Sequence, residues 1–216
     1  MTDQADITAS PVSRRGFLVG AGTGVALIAA ACSSKKTGDA STGGTSTSGA
    51  SKGAPSGDAK VAALAASLEV LAVGTYKAAL DAATANKLGA VPPAVATFAE
   101  TVMGHHQQAL DKWNSVLTAG GGQAVDTPPA ALKAKVDTMF AAVKDVTGVA
   151  NLALTLETIA AHTYLSAIPT LQSKDAITLA GALQVVDQEH AAILHYVLGQ
   201  YPVPDVFQKT DQAYSG

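Results

Sequence analysis

Two stretches of this chain carry the same polar residues at the same spacing inside otherwise apolar segments. Leu68–Leu80 reads LEVLAVGTYKAAL and Leu156–Ile168 reads LETIAAHTYLSAI; each pairs Leu-Glu with a later Thr-Tyr, the glutamate seven residues before the tyrosine. A second pair, Val102–Leu110 (VMGHHQQAL) and Val186–Leu194 (VDQEHAAIL), sets His106 against His190 and Met103 against Asp187. A chain that runs Glu…Tyr and then x-x-His, twice, has few ways to fold. Two helical hairpins related by an approximate two-fold bring all of these residues into one core.

Each of these polar residues lies in an apolar stripe. Asp187 and His190 are three apart, one turn along one helix face, with Leu183, Val186, Ile193, Leu194 and Val197 on the face of His190. Glu69 shares its face with Ala65, Ala72, Val73, Tyr76 and Leu80; Glu157 with Leu154, Ala161, Tyr164 and Ile168; His106 with Val102, Met103, Leu110 and Trp113. Polar groups placed this way destabilise the fold unless they find partners. A metal ion is one partner and mutual hydrogen bonding is the other. Tyr76 and Tyr164 read as core tyrosines with bonded hydroxyls, Trp113 as core, and His195 as structural. His105 points about a quarter-turn from His106, toward a boundary; with His162 and Glu189 it reads as a rim residue or a supporting partner.

The remaining sequence fits an all-α domain. The chain has 216 residues, 48% of them hydrophobic and 14% charged, and it is rich in alanine, the strongest helix former. A first helix is expected from Asp58, as N-cap, to about Asn86. A second is opened by Val91-Pro92-Pro93 and ends at Ala119 before three glycines. A short amphipathic segment, 129–143, serves as the crossover between hairpins. A third main helix runs from Asp145 or Thr147 to about Thr170, bent or ended by Pro169, and a fourth from Ser173 to Gly199. Residues 200–216 form an extended tail that packs along the bundle.

The N-terminal quarter has a different composition. Ser13-Arg14-Arg15-Gly16-Phe17-Leu18 matches the twin-arginine export pattern, and an apolar run, Phe17–Ala31, follows it. Residues 1–31 are thus expected to be a signal peptide. The run ends Ala-Ala-Ala-Cys at Cys32, the only cysteine in the chain, which excludes an intramolecular disulfide and multi-thiolate zinc sites. The junction resembles a bacterial lipoprotein cleavage site, with Ala29 where leucine is usual; plain cleavage at small residues is the alternative. Residues 32–57 are Ser, Thr, Gly, Ala and Lys with little to bury. They form a flexible tether of roughly 25–30 Å root-mean-square span. The net charge of −3 leaves no basic footprint for nucleic acid. The expected location is the cell envelope, on the outer face of the membrane, held by a lipid on Cys32.

On the repeated Glu…Tyr and x-x-His segments, residues 58–199 resemble the ferritin-like four-helix bundles, most closely an exported bacterial branch. The resemblance implies an antiparallel bundle with a long crossover containing the extra short helix. It also implies a metal site in which one helix of each hairpin gives a glutamate and the next gives Glu-x-x-His. By position the implied ligands are Glu69, His106, Glu157, Asp187 and His190. Asp187 is one methylene shorter than the expected glutamate, and Met103 replaces the second bridging carboxylate with a thioether, a poor ligand for hard metals. The implied function is an iron or manganese protein with a mononuclear or asymmetric site and oxidase-type chemistry. The alternative is a non-catalytic envelope lipoprotein whose degenerate bundle acts as a binding or structural module. Mass analysis of the protein from its native host is expected to find a lipidated Cys32 at the N-terminus; an intact Met1 or an unmodified Cys32 contradicts the anchor.

Overall fold

Long alanine-rich segments bounded by proline, glycine and capping side chains produce five α-helices in the computed structural model, which describes residues 56–216. They are α1 (Ser56–Thr84), α2 (Pro93–Ala119), α3 (Ala130–Ala141), α4 (Val146–Ala167) and α5 (Lys174–Val197), with a 3-10 turn at Ile168–Thr170. Among the described residues there is no strand. The signal segment 1–31, Cys32 and the tether as far as residue 55 lie outside the described residues.

The helix ends follow local chemistry, with two departures from expectation. Helix α1 starts two residues early, and Asp58 is not its cap. The Asp58 carboxylate, fully buried, reaches the start of α5 instead and accepts from the backbone N–H groups of Gln172 and Ser173 at 3.0 and 2.8 Å. Helix α1 also stops at Thr84, short of Leu88-Gly89, because Asn86 takes the left-handed conformation (φ 55°) and the Lys87 N–H turns back to the Ala82 carbonyl. Elsewhere the signals act where they stand. Asp145 accepts from Gly148 N–H at 2.8 Å at the start of α4, and Pro169 tightens the end of that helix into the 3-10 turn. Gly121 and Gly199, both with positive φ, close α2 and α5.

The helices α1 and α2 pack as one antiparallel hairpin and α4 and α5 as the other. Alanines recurring along the buried stripe of α1 (Ala62, Ala65, Ala66, Ala72 and Ala79) let its neighbours approach closely. The core has two apolar ends. One gathers Ala62, Ala65, Ala66, Trp113, Leu117, Tyr164, Leu171, Ala176 and Ala180; the other gathers Tyr76, Val102, Ala153 and Leu194, with Met103 packed against it. Crossover helix α3 lays Leu132 and Val136 across Leu68, Leu71, Leu152 and Leu156, sealing the α1–α4 seam.

The tail completes that seal. Its backbone is fastened to α4: Gln212 N–H donates to His162 Nδ1 at 3.2 Å and Tyr214 N–H to Thr163 Oγ1 at 2.8 Å, which seats the Tyr214 ring on the α1–α4 cluster. His162 is therefore buried under the tail and not a rim residue. Burial lowers its pKa, which keeps Nδ1 available as an acceptor. Asp58→Ala would leave two backbone donors at the start of α5 unpaired and is expected to cost about 1–3 kcal/mol, with Asp58→Asn costing less. Urea unfolding at neutral pH measures this, and an unchanged midpoint contradicts the cross-helix role of Asp58.

Candidate metal centre

Between the two apolar ends lies a polar layer to which all four main helices contribute. Glu69 comes from α1, His106 from α2, Glu157 from α4, and Asp187 and His190 from α5; these five side chains are between 0 and 4% exposed. One ligand atom from each of His106, Glu157, Asp187 and His190 lies within 4.8 Å of all the others. Ligands on opposite sides of a first-row metal, each about 2.1 Å from it, lie about 4.2 Å apart, so four donors in this space match the size of one ion.

Glu157 is the common partner. Its Oε1 accepts from the Tyr76 hydroxyl at 2.6 Å and from His106 Nε2 at 3.1 Å, and its Oε2 accepts from His190 Nδ1 at 3.1 Å. Glu69 stands one step back, outside the four-donor group. Its Oε2 is 2.7 Å from His106 Nδ1, and its Oε1 accepts from the Tyr164 hydroxyl, which in turn accepts from Trp113 Nε1 at 2.8 Å. Each tyrosine thus donates to the glutamate of the other hairpin. This follows from the shared seven-residue spacing once α1 and α4 run antiparallel: Glu69 then faces Tyr164 as Glu157 faces Tyr76. Both nitrogens of His106 face carboxylate oxygens, so this imidazole carries both protons and a positive charge.

Burial alone would lower the His106 pKa, but the charges of Glu157 and Glu69 and their hydrogen bonds outweigh it and raise it well above the usual histidine range. Burial likewise would raise the Glu157 carboxyl, yet His106 and the hydrogen bond from His190 hold it at about 2. Asp187 gains less: burial outweighs the charge of His106, which pulls its carboxyl down. Burial pushes its carboxyl well above the ordinary range, the charge of Glu69 adds to this, and Oδ2 has no hydrogen-bond partner. Tyr76 and Tyr164 are raised by burial and by the glutamates that they bond, which keeps them neutral donors.

Two contacts had no clear signal in the sequence. His105 is exposed, yet its Nδ1 lies 3.0 Å from His190 Nε2. The ring planes are 14° apart with centroids 5.2 Å apart, a separation that places the nitrogens head-on in nearly one plane, sharing one proton, instead of stacking the rings. Trp113 is core, as its stripe implied, but its N–H also fixes Tyr164. Its counterpart in the repeat, Val197, is half exposed, so Tyr76 gains no equivalent. Met103 packs into the apolar end around Tyr76 and Leu194 and adds no oxygen to the layer.

A family model for the ferritin-like domain matches residues 57–200, the span that supplies every residue of the polar layer. No curated protein matches the chain.

The ionisation pattern has a consequence for the metal-free protein. Glu157, held at about 2, stabilises the fold at pH above its unfolded value of about 4.3 and loses that contribution as pH falls toward 2. His106, raised when folded, stabilises fully below about 6.5 and loses its contribution as pH rises through its folded value. Asp187, also raised, favours the folded state fully only below about 3.9. The metal-free protein is therefore expected to be most stable at mildly acidic pH. Between pH 6.5 and 8 its stability should fall by at most about 1.4 kcal/mol per pH unit for each proton the fold retains. Thermal unfolding across pH 4–9 in chelator checks this, and a maximum above pH 8 contradicts it.

Proposed function

The chain belongs to the ferritin-like domain family, and on that footing we propose that His106, Glu157, Asp187 and His190 hold one iron or manganese ion in an exported, lipid-anchored protein with oxidase-type chemistry. Asp187 carries this reading. A buried carboxylate with an unpartnered oxygen is costly in a finished core, whereas a cation among these four donors satisfies it. Mixed imidazole and carboxylate donors suit iron, manganese or zinc, and the missing oxygen at Met103 favours one ion over two.

When bound, such an ion supplies Lewis acidity and, for iron or manganese, one-electron exchange with an oxidant. The protein's part is to present and fix the donors. Glu69 keeps the Nδ1 proton of His106, so that Nε2 is the nitrogen turned toward Glu157; a carboxylate behind a histidine in this way fixes its tautomer and raises its basicity. Tyr164 and Trp113 hold Glu69 in turn. Tyr76 steadies Glu157. Because His106 must give up its Nε2 proton to become a ligand, affinity should rise with pH.

Export by the twin-arginine route and anchoring through Cys32 rest on the Ser13–Leu18 pattern and the Ala-Ala-Ala-Cys junction. A second reading has its own support. All members of the layer except Asp187 find hydrogen bonds among themselves, as expected of a degenerate bundle that serves as a metal-free envelope module.

Metal separates the two. Iron(II), manganese(II) or zinc(II) added to metal-free protein at about 100 times the dissociation constant is expected to stabilise it by about 2.7 kcal/mol. Glu157→Ala and His190→Ala should abolish that gain. Met103→Glu should shift the bound metal toward two ions per chain by elemental analysis. No metal-dependent stabilisation of the wild type, with none gained by Met103→Glu, leaves the degenerate bundle as the answer.

A further inference from the structure

The four donors of the proposed centre are buried, and a hydrated divalent cation reaches them only by exchanging its water for protein ligands. The bundle is not equally closed on all sides. The helices within each hairpin pack tightly, and α3 and Tyr214 cover the α1–α4 seam. Helices α2 and α5 approach each other at few positions, and at that seam His105 touches His190 Nε2.

His105 has an unusual position for a residue that contacts a buried cluster. Its imidazole is exposed, and it lies outside the group of four donors. Yet one of its nitrogens is within 3.0 Å of His190, whose opposite nitrogen faces Glu157. Glu189, the residue before His190, is also exposed on α5. His105, His190 and Glu157 therefore form an unbroken line of ligand-type atoms from solvent to the centre of the cluster. Exposed side chains change rotamer in picoseconds to nanoseconds, so the outermost member of this line is also its most mobile.

We propose that His105 is the uptake ligand of the buried centre: it takes a divalent cation from solvent at the α2–α5 seam and hands it to His190 by ligand exchange. This rests on the metal reading above and adds a route to it. A residue that lowers the barrier for a cation going in lowers the same barrier for a cation coming out. His105 therefore sets both rates and leaves the affinity nearly unchanged. A residue that merely orients His190 would act differently, changing affinity through dissociation.

Cobalt(II) is a suitable probe because its visible absorbance reports binding. Full-length metal-free protein is mixed with cobalt(II) in a stopped-flow instrument, and release is followed after a chelator chase. His105→Ala is expected to slow association and release alike, by about tenfold or more, with the dissociation constant within about threefold of wild type. His105→Asp, which restores a surface ligand without the imidazole, should recover most of both rates. Glu189→Gln should slow association at low ionic strength and lose its effect at high salt. Wild-type rates in His105→Ala overturn the proposal, as do an unchanged association rate with faster release, or a failure of His105→Asp to recover either rate. Each of these leaves the metal reading standing. If the wild type binds no cobalt, iron or manganese, the metal reading falls and the uptake role with it.

Discussion

The protonated imidazole of His106, gripped by Glu69 on one nitrogen and Glu157 on the other, is the interaction on which the polar layer depends. A positive charge in an alanine-rich core is tolerable only beside negative ones, and a buried carboxylate only beside donors. Each requirement calls in the next residue. Glu157 is satisfied by Tyr76 and His190 as well as His106, and Glu69 by Tyr164, which leans on Trp113. The chain of bonds passes through α1, α2, α4 and α5 and crosses between the hairpins several times. It fixes their register more sharply than the small apolar side chains at either end, because alanine tolerates sliding and a hydrogen bond does not. Asp187 is the one member that this arrangement leaves without a partner.

Much of this was legible in the residues themselves. The duplicated Glu…Tyr and x-x-His segments announce two hairpins, and apolar periodicity puts Glu69, His106, Glu157, Asp187 and His190 on inward faces, where the structure has them. Periodicity assigns a residue to a face; it does not say which nitrogen of an imidazole meets which oxygen. For that reason Glu69 was indistinguishable from Glu157 in sequence, although one stands behind His106 and the other at the centre of the donor group. The same limit hid His105. A quarter-turn off the buried stripe is a rim position by count, and only the approach of α5 to α2 in the fold brings His190 to its ring. Asp58 misled for a related reason: a carboxylate near a helix start normally caps that helix, but here it accepts from the N–H groups of Gln172 and Ser173 at the start of α5.

The two-fold is imperfect, and its defects lie on particular residues. On the Glu69 side, Trp113 braces the tyrosine that braces the glutamate. On the Glu157 side, the position equivalent to Trp113 is the half-exposed Val197, and Tyr76 has only its glutamate. Met103 stands at the repeat position of Asp187 and contributes packing where its counterpart contributes a carboxyl group. One side of the layer therefore carries the Trp113–Tyr164–Glu69 run of hydrogen bonds, and the other holds the unpartnered oxygen and the contact with His105.

The reciprocal exchange, in which each tyrosine serves the glutamate of the opposite hairpin, bears on how such a chain can arise. A single hairpin carrying one Glu…Tyr segment leaves both groups unanswered within itself. Paired with an identical copy about a two-fold axis, it satisfies both at once, because the glutamate of each copy meets the tyrosine of the other. The geometry is thus that of a self-complementary homodimer whose subunits have been joined in tandem, with the crossover segment as the join. Within one chain each half can differ from its twin, as it does at Met103 against Asp187 and at Trp113 against Val197.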